Sequence, residues 1–244
     1  MDEEALAGGN MEPVVRIGDT VRRVTGPWTA GVHELLRRYE GAGIVEAPRP
    51  LGIDEHGREI LTYLSGEVMT TTPEQLWSLP LLRAAGRLLR RLHDASTPLV
   101  GAEFAWRQPT REPVEVICHN DFAPYNLIID GDRLIGVIDF DMASPGSRLW
   151  DIAYLAYRLV PYAEDAHGFD PGRDGSRADR LRELLAAYGV GYPDDEVRRI
   201  VAQRLDALAE FTEDRAATTG RADLAAHAEM YRRDARRLTR RESL

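Results

Sequence analysis

The chain has 244 residues, a net charge of −9, one cysteine and no lysine, which excludes an internal disulfide and the lysine-dependent Walker A loop. The negative charge argues against general nucleic-acid binding, which needs a basic face, and no apolar run approaches the roughly 20 residues of a membrane-spanning helix. The start, Met1-Asp2-Glu3-Glu4, does not resemble a signal peptide. We therefore expect a cytoplasmic protein without nucleic-acid or membrane partners.

The N-terminal quarter of the chain is predicted to be strand-rich. The predicted strands are residues 14–17, 20–24 and 59–64. Gly18-Asp19 joins the first two as a hairpin turn. One helix, residues 29–39, follows the hairpin because its apolar residues recur at helical spacing.

Helical patterns dominate from residue 73 onward. The predicted helices are residues 81–93, 149–160, 177–188, 194–216 and 221–240. Short strands interrupt them at 116–141, and residues 164–179 form a loop rich in glycine, proline and acids. We predict an α+β fold with a small strand-rich N-terminal lobe (1–67), a larger helical C-terminal lobe (68–244) and a hinge near 64–72.

The segment 116–139 carries the clearest chemical pattern in the chain. An apolar run ends at His119 and Asp121, Asn126 follows five residues later, and a second apolar segment after a Gly-Asp turn ends at Asp139. A positioned carboxylate such as Asp121 can accept the proton of an attacking hydroxyl, and His119 would brace its loop. Asn126 and Asp139 offer the oxygen ligands that magnesium prefers when phosphates complete its shell. The pattern indicates phosphoryl transfer.

The competing interpretation is that these acids and the asparagine are ordinary turn residues, since Asp and Asn are frequent in turns. It suffices for any one of them. It does not account for His-x-Asp-x-x-x-x-Asn followed by a hydrophobic hairpin and Ile-Asp-Phe, which matches a kinase-type catalytic loop and metal-binding aspartate.

The segments His119–Asn126 and Ile138–Asp141, followed by Asp151-Ile-Ala, resemble the aminoglycoside phosphotransferase (phosphotransferase enzyme) family of small-molecule kinases. The resemblance covers most of the chain and thins at both ends. It implies a protein-kinase-like two-lobe fold that uses ATP, or alternatively GTP, with Mg²⁺. It also implies that Asp121 is the catalytic acid/base and that Asn126 and Asp139 hold the metal. Asn120 and Asp141 depart from the protein-kinase pattern at positions where the family varies.

The resemblance also implies nucleotide contacts from the N-terminal lobe. Residues Thr62, Tyr63 and Leu64 would form the linker strand against the adenine. Gly8 and Gly9 belong either to a shortened phosphate-covering loop or to a frayed terminus. Without lysine, the phosphate-binding cation must be an arginine, and we predict Arg22, with Arg23 on the opposite strand face.

The helix partner of that arginine is less well determined by the sequence. Glu34 is the acid that the helix 29–39 offers, and His33 is the competing position. Asp151, at the start of a helix, is predicted to brace the metal-binding loop through backbone N–H groups. Cys118 is predicted to be a packed core thiol.

The acceptor is a hydroxylated small molecule whose identity the sequence leaves open. Acids in the loop 164–174 and the helix 206–214 would suit a polyamine such as an aminoglycoside antibiotic. The arginines of residues 232–241 argue against a polycation and for another metabolite, an amino alcohol or a sugar. A non-catalytic binding protein of the same fold is the alternative from another functional class, and the oligomeric state is undetermined.

Overall fold

The computed structural model describes residues 3–6 and 14–240, and over this range the chain has the predicted α+β fold. A strand-rich part comes first and a mainly helical part follows. The strands are β1 (Glu4–Ala5), β2 (Val15–Ile17), β3 (Thr20–Val24), β4 (Pro50–Ile53), β5 (Arg58–Thr62), β6 (Glu67–Val68), β7 (Val116–Cys118), β8 (Leu127–Asp130), β9 (Arg133–Val137) and β10 (Ser144–Gly146).

Helices form most of the C-terminal part. α1 (Thr29–Gly41) lies in the strand-rich part, and the helices that follow it are α2 (Pro73–Leu76), α3 (Leu79–Ser96), α4 (Arg148–Leu159), α5 (Pro171–Asp174), α6 (Arg177–Tyr188), α7 (Asp194–Thr219) and α8 (Ala222–Thr239). Ser78, Ser147 and Ser176 cap the N-termini of α3, α4 and α6 by accepting a backbone N–H hydrogen bond. No helix in the described part of the chain is long and apolar enough to cross a membrane.

The N-terminal part is an antiparallel sheet with strand order β1-β2-β3-β5-β4. The predicted Gly18-Asp19 turn joins β2 to β3, where Gly18 adopts a positive φ of 60°. In the β3–β5 pair, Arg23 lies directly opposite Glu59. The two side chains therefore point to the same face of the sheet.

A second sheet carries the motif segment. The hairpin β8–β9, with Gly131-Asp132 at its turn, pairs with β6 in the order β6-β8-β9. β7, just before the motif, pairs with β10, just after it. Both ends of the segment 119–143 are thereby fixed against each other.

One hydrophobic core joins the two parts. Leu35 and Leu36 of α1 and Leu82 and Leu89 of α3 are almost fully buried, and they belong to one cluster that continues into α4, α6 and α7. The fold therefore holds the N-terminal sheet and the motif segment on a common apolar support.

The predicted elements agree with the structure except at elements that begin with proline and at very short strands. β4 was missed because Pro50 argues against a strand, yet it begins an edge strand, where proline is tolerated. The two-residue β6 and three-residue β10 have too little sequence for a periodic pattern. The boundary of the lobes at 67/68 stays a prediction, and the change from the first sheet to the second lies between Thr62 and Glu67.

Candidate active site

The motif segment leaves β7 through a strained backbone. Asn120 and Asp139 are the non-glycine residues with positive φ among those described, at 62° and 66°. Such a conformation costs free energy for a residue with a Cβ and is tolerated best by asparagine and aspartate. Asp139 is a predicted metal ligand, and Asn120 lies between the predicted site residues His119 and Asp121; backbone strain of this kind concentrates at functional sites.

Asp121 has a hydrogen bond on each carboxylate oxygen. The Tyr125 hydroxyl donates to Oδ1 over 2.5 Å, and Asn126 Nδ2 donates to Oδ2 over 2.9 Å. Burial and the nearby charge of Asp139 raise the pKa of Asp121, although the bond from Tyr125 opposes the shift. A carboxylate with a raised pKa is suited to take a proton from a hydroxyl.

His119 links the two halves of the segment. Its Nδ1 accepts the backbone N–H of Asp121 over 3.2 Å, so Nε2 carries the proton and donates to the carbonyl oxygen of Ile138 over 3.1 Å. Its ring also packs against Phe140, with centroids 4.5 Å apart. His119 therefore fixes Asp121 relative to the residue before Asp139, which agrees with bracing.

The geometry of Asn126 and Asp139 is compatible with a cation. The side-chain hydrogen bonds of Asn126 all use Nδ2, toward the carbonyl and the carboxylate of Asp121, which turns its amide oxygen away from them. The Asp139 side chain is 40% exposed. One amide oxygen and one partly exposed carboxylate match the share of ligands that a protein supplies to magnesium bound to phosphates.

The cation that reaches Asp139 is Arg23, not the predicted Arg22. Arg23 Nη2 lies 3.0 Å from Asp139 Oδ1 and 2.6 Å from Asp141 Oδ2. Burial lowers the pKa of Arg23, but Asp139, Asp141 and Glu59 outweigh it and raise the pKa. Arg22 points to the other face, where its Nη1 donates to Thr20 Oγ1 over 2.6 Å.

The acid beside this arginine comes from a strand and not from helix α1. Glu59 Oε1 lies 3.6 Å from Arg23 Nε, and Glu59 Oε2 lies 2.9 Å from His33 Nε2. The predicted partner, Glu34, instead pairs with Arg37 and Arg38 along the outer face of α1. The histidine that competed with Glu34 in the sequence is thus the α1 residue that faces the site.

Asp141 replaces the glycine of the kinase pattern and has a defined contact. Besides its ion pair with Arg23, Asp141 forms a second one, with 3.4 Å between its Oδ2 and Arg107 Nη1. Burial raises the pKa of Asp141 from 3.8 to about 6, which the two arginines only partly oppose. The sequence reasoning missed Arg23, Glu59 and Asp141 as site residues, although an acid within the apolar run 59–64 was an available signal.

Asp151 braces the catalytic loop, whereas its place at the start of a helix predicted a brace for the metal-binding loop. Its carboxylate is fully buried and accepts the backbone N–H groups of His119 over 2.7 Å and of Asn120 over 2.8 Å, and His93 Nε2 at 3.1 Å. Burial alone would raise the pKa of Asp151, but these hydrogen bonds outweigh it and lower the pKa.

Cys118 lies near His93 and Asp151, and burial raises the pKa of its thiol. Since a thiolate is disfavoured there and the histidine and aspartate are hydrogen-bonded to each other, this trio is a packed core cluster.

The hydrogen bonds of Asn120 explain why asparagine, and not the arginine of the kinase pattern, stands at this position. Its Nδ2 donates to the Met142 carbonyl and to Ser144 Oγ, and its Oδ1 accepts from Trp150 Nε1. The asparagine ties the catalytic loop to β10 and α4, which an arginine of different length would not do.

Of the other residues predicted to contact the nucleotide, the structure describes residues 62–64. Gly8 and Gly9 lie outside the described residues. Thr62 ends β5, and Tyr63 and Leu64 run from the first sheet toward the second, where Leu64 contacts Gly136 of the hairpin. The segment 62–64 therefore connects the two sheets, as a linker strand does, and its contact with adenine stays a prediction.

The chain was compared with known proteins. The family model described as "Phosphotransferase enzyme family" matches residues 100–201, which contain the motif segment. The trifolitoxin immunity protein of Rhizobium leguminosarum bv. trifolii is 34% identical over 198 residues, covering 78% of this chain and 75% of that protein. A homoserine kinase of Pseudomonas aeruginosa is 30% identical over 177 residues, covering 66% of this chain and 53% of the kinase.

The fold is also found among solved structures. The amicoumacin kinase hAmiN, in complex with AMP-PNP, Ca²⁺ and Ami, superposes with a TM-score of 0.68 at 14% identity, over 97% of this chain and 88% of that one. At this identity the likeness shows the fold, whereas the family follows from the matched model and the relative in Rhizobium. This chain belongs to the phosphotransferase enzyme family and is a small-molecule kinase of protein-kinase-like fold.

Proposed function

We propose that the protein transfers the γ-phosphoryl group of ATP, with Mg²⁺, to a hydroxyl of a small molecule. The observation that carries the proposal is the convergence of Asp121, Asn126 and Asp139. Asn126 donates to Asp121 over 2.9 Å, and His119 ties Asp121 to the residue preceding Asp139. Asp121 therefore has Asn126 and Asp139 close to it, which supports a general base beside two oxygen ligands.

Each residue has a proposed task. Asp121 accepts the proton of the acceptor hydroxyl while the oxygen of that hydroxyl forms a bond to the γ-phosphorus. The bond between the γ-phosphorus and the oxygen that bridges it to the β-phosphorus breaks, and ADP leaves. Asn126 and Asp139 would hold Mg²⁺, which with bound ATP neutralises charge on the transferred group. Arg23 would bind phosphate oxygens, since it lies beside Asp139.

Glu59 and His33 keep Arg23 in place. Glu59 is 2% exposed and bridges the arginine and the histidine. In a site without lysine, a buried carboxylate that orients the guanidinium has the task that a helix acid has in protein kinases. We propose that Arg23, Glu59 and His33 replace the lysine–glutamate pair.

The relatives support two kinds of acceptor. The immunity protein is named for trifolitoxin and one kinase of the same fold for amicoumacin, and another structure of this fold is a complex with streptomycin and ATP, whereas the homoserine kinase is named for a hydroxy amino acid. An antibiotic, aminoglycoside or other, and a metabolite with a free hydroxyl are therefore the two classes to test.

The test is ADP formation from MgATP across a panel of both classes, with Asp121→Asn and the matched variant Asp132→Asn, an exposed aspartate in the hairpin turn. Asp121→Asn should lower kcat by about 10²- to 10⁴-fold, and Asp132→Asn should have no effect. Activity that survives in Asp121→Asn contradicts the assigned base. A protein whose Tm does not rise with MgATP contradicts the proposed use of ATP and favours the non-catalytic alternative.

A further inference from the structure

The side of Asp121 that faces the helices is built from tyrosines and arginines. We call Tyr125, Tyr154, Arg158, Arg204 and Tyr231 the acceptor face. The Tyr125 hydroxyl contacts Asp121 Oδ1 at 2.5 Å and the Tyr154 hydroxyl at 2.7 Å. Arg158 follows Tyr154 by one turn of α4 and so lies on the same side of the helix. Arg204 of α7 lies over the Tyr154 ring, 5.0 Å from its centroid.

The tyrosines of this face are hydrogen-bond donors rather than anions. Burial raises the pKa of Tyr125, Tyr154 and Tyr231 above its ordinary value. Neutral phenols do not compensate the charge of an arginine. Compensation must therefore come from a carboxylate of the protein or from a ligand.

Arg204 forms no ion pair among the described residues, and the carboxylate near it is Asp121, whose pKa its charge lowers. It is 5% exposed, its Nη2 donates to the backbone carbonyl of Asn120, and its guanidinium lies over the rings of Trp150 and Tyr154. A buried cation is costly unless an opposite charge repays its removal from water, and Asp121 repays it only while Asp121 is ionised. Its place beside Asp121 puts this charge at the acceptor position.

Arg158 is also an arginine with a partly buried guanidinium, and it has one weak ion pair. Its Nε is buried without a hydrogen-bond partner, and its one carboxylate contact, to Asp165, is 3.5 Å long. The pKa of Tyr154 and Tyr231 responds to its charge, so it lies close to both rings. Two arginines thus border the acceptor face from α4 and α7.

Several of the acids that would suit a polycation are paired with arginines. Glu164 pairs with Arg233 at 3.6 Å, Glu213 pairs with Arg232, and Asp174 pairs with Arg173 at 2.7 Å. The five residues of the acceptor face include two arginines and no acid. A polyamine would meet these two arginines there.

We infer that the acceptor carries a carboxylate beside its reacting hydroxyl and that Arg204 and Arg158 bind it. The planar guanidinium fork matches the two oxygens of a carboxylate and forms charge-assisted hydrogen bonds to it. A carboxylate adds one negative charge next to Asp121 and the triphosphate, whereas a phosphomonoester adds a second one. The inference rests on the proposed function and narrows its acceptor to hydroxycarboxylic acids, including hydroxy amino acids.

The test compares acceptors that differ by the carboxylate alone. L-homoserine and 3-aminopropan-1-ol share the hydroxyl, the amine and the chain between them. Two parallel arms use malate as a second hydroxycarboxylate and glycerol 3-phosphate as a phosphomonoester with free hydroxyls, and kanamycin is the polycation. Kinetics of ADP release are measured with MgATP, and the Tm is measured for each compound with Mg²⁺ and AMP-PNP.

We expect at least about a tenfold higher kcat/KM, or a Tm increase, for a hydroxycarboxylate than for its counterpart without the carboxylate. Arg158→Gln should collapse this ratio toward one, mainly through KM. Arg182→Gln, an exposed arginine on α6, is the control and should keep the ratio. Arg204→Lys, which retains a donor for the Asn120 carbonyl, should reduce the ratio if the fold tolerates it.

Several outcomes overturn the inference. They are preference for kanamycin or the phosphomonoester, equal use of both members of the matched pair, a ratio unchanged in Arg158→Gln, and MgATP binding without turnover or Tm response for any carboxylate. The last leaves the proposed function intact, whereas absence of MgATP binding contradicts the proposed function itself.

Discussion

Two carboxylates of the site have opposite environments. Asp151, in the brace under the catalytic loop, accepts two backbone N–H groups and His93, and its pKa is lowered. Asp121, at the open edge above the loop, accepts from Tyr125 and Asn126, and its pKa is raised. The protein therefore holds one aspartate firmly as an anion and leaves the other ready for a proton.

The difference arises from the donors and not from burial alone. Burial raises the pKa of both groups, but only Asp151 has enough hydrogen bonds to its charged form to reverse that effect. Asp121 also has Asp139 nearby, whose negative charge adds to the rise. A structural acid and a chemical acid can thus be distinguished by the hydrogen bonds each accepts.

The largest expected effect is on the brace. Asp151→Ala leaves the N–H groups of His119 and Asn120 and the His93 ring without their shared acceptor, so the free energy of unfolding should fall by about 3–5 kcal/mol. Urea unfolding followed by circular dichroism measures it. Asp206→Ala, an exposed aspartate on α7, is the control and should change little. A loss below about 1 kcal/mol would show that the brace is not needed for folding.

Asp141 should make the protein respond to pH in the opposite direction from Asp151. The pKa of Asp141 is raised to about 6 in the folded protein, so its favourable contribution is present below the unfolded value of 3.8 and is lost as pH rises through 6. Between pH 4.5 and 7.5 the wild type should lose about 2 kcal/mol of unfolding free energy relative to Asp141→Asn.

Urea titrations of both proteins at several pH values measure this difference. Asp130→Asn, an exposed aspartate at the end of β8, is the control. A gap between wild type and Asp141→Asn that does not vary with pH would contradict the raised pKa.

Most of the fold was predictable because its elements are long and periodic. α6 was predicted at its observed bounds, and α7 and α8 within a few residues, since apolar residues at helical spacing continue through them. The catalytic segment was predictable for a different reason, because Asp121, Asn126 and Asp139 are local in sequence.

The orientation of side chains on β3 was not predictable. Val21 and Val24 fall on opposite faces of this short strand, so the apolar alternation does not say whether Arg22 or Arg23 faces inward. Pairing with β5 determines which arginine faces inward. Arg23 lies opposite Glu59, on the same face of the strand as Val21, which packs against the core. The arginines of the acceptor face were likewise hidden, because their contacts come from different helices.

Arg22 and Arg23 are neighbours on β3, so their variants form a matched test of which arginine binds the phosphates. Arg23→Gln should weaken MgADP binding by about tenfold, because a charge-assisted contact to phosphate is lost beside Asp139. Arg22→Gln should weaken binding by less than about twofold, since Arg22 contacts Thr20 on the other face. Isothermal titration calorimetry measures both. The reverse order of effects would restore Arg22 as the phosphate-binding residue.

The smallest effect tests the donor that distinguishes Asp121 from Asp151. The hydrogen bond from Tyr125 lowers the pKa of Asp121 against burial, so Tyr125→Phe should raise that pKa further. Because the base must be ionised, the acid limb of the kcat/KM profile should move to higher pH, with roughly a threefold loss of activity at its acidic end. The profile is measured with the acceptor that the panel identifies. Tyr192→Phe, in the connection between α6 and α7, is the control. A uniform loss at all pH values would show that Tyr125 contacts the acceptor rather than tuning the base, and the Asp121–Tyr125 bond would then be one that the acceptor replaces.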